Sequence, residues 1–401
     1  MQRLLYFALL VLVWQCRSST AEPDAILDKS WPEIEAEARG TTVYFMLWQG
    51  DPYINAYLRE EIVPLVDSLY NIDLQLLSGQ GTQIVSTLMT EIEAGVSESQ
   101  LDLCWINGET FYQLRQINGL FGPFVDHLPN SQYIDWENPF IAQDFQQPVA
   151  GMECPWGNVQ QALIYDTTVM TTPPQNRMEL LAYAQRHPGT ITIPSDFTGM
   201  SFLKALLVDL AGRATPFQGD FNPEVYETYS TQLWAYLDSL RPYLWKSGTT
   251  FPDAVAPMHQ LFANGELHLT MSMNDGEVDN KVAQGLFPES ARAYVWATGT
   301  IQNSHYLGIP ARSGNKAGAM VVINTLISPW AQWKKMDPVV WGDGTILDIE
   351  RLPEAWQDKF ADIPNRQFAP DRTTIQDRAI LEFTPEYMIR LYEDFRTYMA
   401  Q

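Results

Sequence analysis

Tryptophan and carboxylate recur together where the chain is expected to turn. Trp48 lies just before Asp51, Trp105 just before Glu109 and Trp156 just after Glu153, while Asp275 and Glu277 place two acids in a further turn. The face of an aromatic ring attracts cations, and a carboxylate nearby strengthens that attraction once water is excluded. One Trp beside one acid describes the edge of any core; the repetition points to a cleft for a cationic solute. Gly79-Gln80-Gly81 begins like a dinucleotide fingerprint, but position 84 is Ile where that motif needs its third glycine. What remains is a tight strand-to-helix turn, or a backbone contact from Gly79 with the Thr82 hydroxyl beside it. Asn158 and Asn274 add side-chain amides at two other candidate contact points.

Motifs for reaction chemistry are missing. The sequence has no Gly-x-Ser-x-Gly elbow, no Walker A loop and no His-Glu-x-x-His helix, so it gives no catalytic residue, cofactor or metal site. Its five histidines, at 127, 187, 259, 268 and 305, lack metal-ligand spacing, and only His305 falls where it would meet a ligand. Carboxylates such as Asp51 and Glu109 leave one enzymatic alternative, a secreted glycoside hydrolase. A retaining mechanism would need such a pair about 5–5.5 Å apart.

The elements that position these residues alternate between strand and helix. Thr41 to Leu47 reads as a buried strand, followed by Asp51 as helix cap and Pro52 at the first helical position. Ile54, Leu58, Ile62 and Leu65 continue at helical spacing, with a kink expected at Pro64. A second strand, Asp73 to Leu77, leads into the Gly79–Thr82 turn and a helix carrying Val85, Leu88, Met89 and Ile92, closed by Gly95. A third, Leu101 to Ile106, ends at Asn107-Gly108-Glu109. Three strands thus deliver polar, Gly-rich turns at their carboxyl ends, the edge at which open α/β sheets bind ligands. Further on, Thr190–Ile193, Leu267–Met273, Ala293–Ala297 and Tyr306–Ile309 read as strands. Helices are expected after Thr198-Gly199, over Pro223–Leu240, from Asn315, and from Pro385 to Met399 behind Thr384 as cap.

With 401 residues, 46% apolar and 12% aromatic, the chain can fill more than one core. A balance of 25 basic against 48 acidic residues gives a formal charge of −23, which excludes nucleic acid and anionic membrane as main partners. Arg3, the apolar run Leu4–Trp14 and Ser19-Thr20-Ala21 have the layout of a secretory signal covering residues 1–21. Cys16 offers lipidation as the rival reading, but Val13-Trp14-Gln15 is a poor lipobox. Cys104 and Cys154 remain; in an oxidising compartment they are either a disulfide or two buried thiols.

Trp48-Gln49-Gly50-Asp51-Pro52-Tyr53-Ile54-Asn55 followed by Leu103-Cys104-Trp105-Ile106-Asn107-Gly108-Glu109-Thr110-Phe111 resembles the extracellular solute-binding proteins of ABC importers. Pro155-Trp156-Gly157-Asn158-Val159-Gln160 and Gly318-Ala319-Met320-Val321-Val322-Ile323-Asn324 extend the likeness across the whole chain beyond the signal. Within that superfamily the chain is similar to a subgroup near the thiamine, polyamine and ferric-iron binders. The resemblance implies a two-lobed α/β, type II periplasmic-binding fold with the solute between the lobes. It divides the chain into lobe 1 at 22–154, lobe 2 at 155–303, and a return segment to lobe 1 with C-terminal helices at 304–401, hinged near 153–159 and 300–310. It further implies a free periplasmic monomer that passes a small solute to a permease in the inner membrane. Trp48, Asp51, Trp105, Glu109, Trp156, Asn158 and Asn274, with Gly79 and Thr82, are the expected contacts. No tyrosine–histidine cluster marks an iron site, so a thiamine-like cation is the first expected ligand and a polyamine the second. A sensory binding protein that addresses a receptor instead of a permease is the other alternative.

Overall fold

The computed structural model describes residues 25–400, so the expected leader at 1–21 and Cys16 lie outside the described residues. β1 (Thr42–Leu47) alternates as a half-buried strand must: Val43, Phe45 and Leu47 are buried and Tyr44 is exposed. It runs parallel to β2 (Asp73–Ser78) and to β3 (Leu103–Ile106), which lie on its two sides. A short hairpin follows, β4 (Gln143–Asp144) with β5 (Gln147–Pro148). Then come β6 (Cys154–Gln160), β7 (Ala162–Asp166), β8 (Leu269–Ser272), β9 (Ala291–Tyr294), β10 (Thr300–Gly308) and β11 (Ala379–Leu381).

β10 is the longest strand and organises the junction. Its carboxyl end pairs antiparallel with β3, its amino end parallel with β11, and its other edge antiparallel with β6 along nearly its whole length. β7, β8 and β9 make a separate antiparallel sheet in the order β8-β7-β9. Two large cores result. One gathers Val43, Phe45, Leu58 and Ile62 with the helix Lys316–Leu326; the other gathers Leu163, Leu203, Leu206, Leu237, Leu269 and Met388. A smaller cluster with Ile84, Leu88, Ile106 and Tyr306 lies beside the first. β6 carries the chain from the first core to the second, since Trp156 belongs to one and Ala162 to the other, and β10 carries it back from Ile301 to Leu307. The segment beyond 304 serves both, with Val321–Leu326 in the first core and Tyr387–Tyr398 in the second.

Local chemistry explains the boundaries. Asn315 caps its helix by accepting from the Gly318 amide at 2.9 Å and donates to Thr42 O at 2.8 Å, tying helix to β1. Gly318 allows that approach, because a Cβ there would meet Val43 Cγ2 at 2.7 Å. The helix Pro223–Leu240 has the expected limits. Three expectations change, and one left open is decided. The break near Pro64 takes the form of a π-helical turn over Tyr57–Ile62, where the Val63 amide reaches back to Leu58 O. Thr190–Ile193 is extended but forms no ladder, because its bonds go singly to His268 and Trp245 before Pro194 ends it. Thr384 flanks its helix without a side-chain cap bond. Cys104 and Cys154 are free, buried thiols. They pair with Gly308 and Leu307 from opposite edges of β10. Two strand spacings, about 9.6 Å, separate them, beyond the reach of a disulfide.

Candidate functional site

The site lies where β3, β6 and β10 meet between the cores. Trp105 on β3 packs its ring against Trp156 of β6 (centroids 5.1 Å apart), His305 of β10 (5.0 Å) and Trp341 (6.2 Å). Trp156 and Trp341 touch at 5.2 Å, while His305 stacks on Trp341 at 5.6 Å. Trp156 is fully buried, whereas Trp105 keeps a partly exposed face. Edge-to-face packing of this kind adds to the burial of each ring. Gly157 is required here: it pairs with His305, and a Cβ would run into Asp343 and the His305 ring. Behind the rings Asp343 accepts from Lys335 Nζ at 2.6 Å and lies 3.1 Å from His305 Nε2. Burial alone would raise the Asp343 carboxyl, but Lys335 and His305 outweigh it and hold the pKa down.

Two charged networks close one edge of this junction. Asp51 is buried at the start of its helix; Oδ1 accepts from the Tyr53 and Ile54 amides, as a cap does, and Oδ2 pairs with Lys281 Nζ. Lys281 also meets Glu277 Oε1 at 3.2 Å, and Glu277 in turn accepts from Ser272. Burial would depress the Lys281 pKa, yet Glu277 and Asp51 raise it well above the lysine range. Further along, Asp275 takes Arg366 and Arg372 and accepts from the Gln160 amide at 3.2 Å; the two guanidinium groups overcome burial and hold its carboxyl far below the usual range. Asn280 completes the seam, donating to Trp341 O at 2.9 Å while its own carbonyl accepts from the Tyr53 hydroxyl at 3.0 Å.

The structure brings several expected residues together and gives others internal work. Trp105 stands at the centre, and Trp156 supports it from within the core. Trp48 is partly buried at the end of β1, its ring lying where a side chain on Gly50 would be. Gly79 is buried against Met46, and Thr82 is exposed on the first turn of the helix Gly81–Glu93. Gly81 touches Thr110, joining the β2 and β3 turns. Glu109 is partly buried, with Oε2 unpartnered among the described residues, and burial pushes its carboxyl up to about 7. Asn274 spends its carbonyl oxygen on the Gly276 amide at 2.9 Å. Asn158 is wholly engaged: its amide donates to Ser304 Oγ at 2.9 Å and Phe140 O at 3.2 Å, and its oxygen accepts from Gln302 at 2.6 Å. Asp51, likewise, has no free oxygen. Glu153, expected beside Trp156 at a turn, is fully buried with both oxygens unpartnered among the described residues. Sequence reasoning alone does not single out Lys281, Lys335, Trp341 or Asp343. Trp341-Gly342-Asp343-Gly344 repeats the same tryptophan–acid–glycine signature and was the signal available for two of them.

Residues 67–362 match the family described as bacterial extracellular solute-binding protein, and the chain belongs to it. Such proteins bind small solutes outside the cytoplasm and deliver them to ABC permeases; they are transporter components, not enzymes, which displaces the hydrolase alternative at Asp51 and Glu109. Among relatives, the chain is 37% identical over 334 residues to protein YnjB of Escherichia coli (strain K12), covering 82% of this chain and 86% of that one. Its fold is similar to the spermidine/putrescine ABC transporter substrate-binding protein PotD of Streptococcus pneumoniae (TM-score 0.62, 16% identity, 90% and 99% of the two chains). It is equally similar to the periplasmic binding protein AfuA of Actinobacillus pleuropneumoniae, solved with fructose-6-phosphate (TM-score 0.63, 12% identity, 90% and 99%). The fold is therefore the two-lobed periplasmic-binding fold.

Proposed function

We propose that the chain captures a small organic cation, aromatic or quaternary and thiamine-like in chemistry, and hands it to an inner-membrane permease. The observation that carries this reading is Trp105: a partly exposed indole backed by Trp156, Trp341 and His305, with Glu109 four residues on, in the first turn of the helix that follows β3. An indole face and a carboxylate in a site closed to water suit a cation better than a sugar or an anion. Trp48, Thr82, Glu109 and Asn274 offer side-chain groups around the solute; Asp51, Gly79, Trp156 and Asn158 shape the walls. The lobes divide near 153–159 and 300–310, where β6 and β10 cross, and contacts from both lobes shift the population toward the closed form. The receptor works as a periplasmic monomer after removal of residues 1–21. A polyamine is the second candidate, favoured by the same carboxylate and consistent with the likeness to PotD.

Thermal unfolding with thiamine, choline, putrescine, spermidine, ferric citrate and maltose tests this. A solute at about 100 times its dissociation constant stabilises the folded state by about 2.7 kcal/mol. A shift with an organic cation that disappears in Trp105→Ala supports the proposal. A shift with maltose or ferric citrate alone, or one that survives Trp105→Ala, overturns it.

A further inference from the structure

Across the junction from Asp51, three carboxyl groups are packed without a cation to serve them. Asp144 and Glu153 are 1% and 0% exposed, and all four of their oxygens lack a hydrogen-bond partner among the described residues, as does Oε2 of Glu109. Glu109 opens the helix Gly108–Gln116, Asp144 stands in the β4–β5 hairpin and Glu153 precedes β6. Facing them from the second core are the helix Phe197–Ala211, bearing Lys204, and Glu382 just after β11. We propose that Glu109, Asp144 and Glu153 form a proton-binding site at the junction of the lobes, so that bringing the lobes together takes up protons from solvent.

The neighbouring charges leave no other way to neutralise these groups. Among the described residues Lys204 is the one ammonium inside the cluster, and it is already spent: it donates to Glu382 at 2.5 Å and lies over the Phe145 ring at 4.8 Å. Glu382 is satisfied in turn by the Phe383 amide at 3.0 Å and Asn303 Nδ2 at 3.3 Å. Arg115 acts on Glu153 only from the exposed side of its helix, where it lies over Phe111. From β10, the Tyr306 hydroxyl donates to Ile141 O and Gln143 O at 3.0 Å, leaving nothing for the acids. Tyr392, from the C-terminal helix, and the Cys154 thiol face the same region, and burial first, with the nearby carboxyls second, keeps both in their neutral forms. An ionised carboxylate buried without donors is costly, whereas the protonated acid is neutral and carries its own donor. The acids also repel one another: Glu109 acts on Asp144 and Asp144 on Glu153. Burial first, and that repulsion second, raise Asp144 and Glu153 well above the carboxylate range, and burial takes Glu109 to about 7.

Phe145 ties the cluster to both cores. It belongs to the second core although its hairpin lies between elements of the first, and the adjacent Gln146 donates to Glu382 O at 2.8 Å. Separation of the lobes would therefore admit water to the acids and let them ionise. The inference concerns the protein without solute; a cation held at Trp105 would compete with the proton for Glu109, and Asp144 and Glu153 would keep theirs.

Infrared difference spectra of the full protein, without added solute, read the protonated-carboxyl stretch directly. Between pH 6 and 8 the wild type is expected to lose about one carboxyl equivalent, and Glu109→Gln to lose none. Because neutral amides imitate protonated acids, Asp144→Asn and Glu153→Gln should unfold at denaturant midpoints equal to or above the wild type at pH 8. Small-angle scattering should show the wild-type radius of gyration rising from pH 6 to pH 9, and the triple amide variant holding the pH 6 value. Absence of any protonated carboxyl above pH 6, lower midpoints for both single variants at pH 8, or a radius that ignores pH in the wild type would each overturn the proposal.

Discussion

Breaking the Asp51–Lys281 pair gives the sharpest test of how the junction is held. Their side chains are 10% and 5% exposed, and the residues lie 230 positions apart, one on the loop after β1 and the other on the helix Glu277–Ala283. At an effective dielectric of about 20, opposite charges near 4 Å attract by about 4 kcal/mol, and desolvation offsets part of that. Lys281→Met removes the only ammonium that Asp51 and Glu277 share among the described residues, leaving Asp51 buried without a cation; a cost of about 3–5 kcal/mol follows. Asp51→Asn keeps the cap, since an amide oxygen accepts from the Tyr53 and Ile54 amides as well as a carboxylate does, and so isolates the ion pair. Asp51→Ala loses both and should cost about 1 kcal/mol more. Urea unfolding of wild type, Asp51→Asn, Lys281→Met and the double variant closes a cycle whose coupling energy should be about 2 kcal/mol. A coupling below about 0.5 kcal/mol, with Lys281→Met no worse than a surface substitution, refutes the view that this pair joins the two cores.

Four other outcomes are expected. Gly157→Ala forces a methyl into Asp343 and His305 and should destabilise by about 1–3 kcal/mol, measured by denaturant, with loss of the packed-indole signal in near-ultraviolet circular dichroism. Thiol titration of the unfolded protein without reductant should find Cys104 and Cys154 both reactive, while in the folded state both are protected by burial; a missing pair in the unfolded protein would contradict the strand geometry. Trp105→Ala should weaken binding of the solute identified by thermal shift at least tenfold, about 1.4 kcal/mol, as judged by calorimetry. Arg372→Met should raise the pH at which acid unfolds the protein, because Asp275 loses one of the two cations that keep it ionised.

Much of the scaffold was legible because its signals are local. β1 is rich in β-branched and aromatic residues, Asp51-Pro52 announces a helix start, and the Pro223–Leu240 helix has both a cap and a period. β6 escaped because Pro155 and Gly157 argue against a strand. Both are tolerated there since β6 pairs with another strand on one edge only, and Gly157 is needed to admit His305, a requirement set by a residue far along the chain. The same reason hid half of the site. That Trp and acids cluster at turns could be read directly; which of them keep a free polar atom could not. Asp51 looked like a ligand group until Lys281, more than two hundred residues later, took its second oxygen. Trp341 and Asp343 share the tryptophan–acid pattern, but nothing in their own segment places them against β3 and β10.

The two edges of the junction respond to pH in opposite senses, and together they bound the range in which the lobes pack well. Asp275, Glu277 and Asp343 are held below their ordinary values by Arg372, Lys281 and Lys335, in each case against burial. Stability from such groups is present above their unfolded values, about 3.8–4.5, and is lost as pH falls through the folded ones. Glu109, Asp144 and Glu153 are raised, chiefly by burial, so their contribution is complete below the unfolded values and is lost as pH climbs through the folded ones, for Glu109 at about 7. A junction built from only the first kind would be tightest in alkali, and one built from only the second would be tightest in acid. Holding both puts the maximum near the unfolded values, about pH 4–4.5; from there to about pH 7 the native protonation state persists while stability declines, because only the folded state keeps those protons. In that interval the ion pairs on one side are formed and the acids on the other are still neutral, so the strands β6 and β10 are gripped from both edges while Trp105 stays available between them.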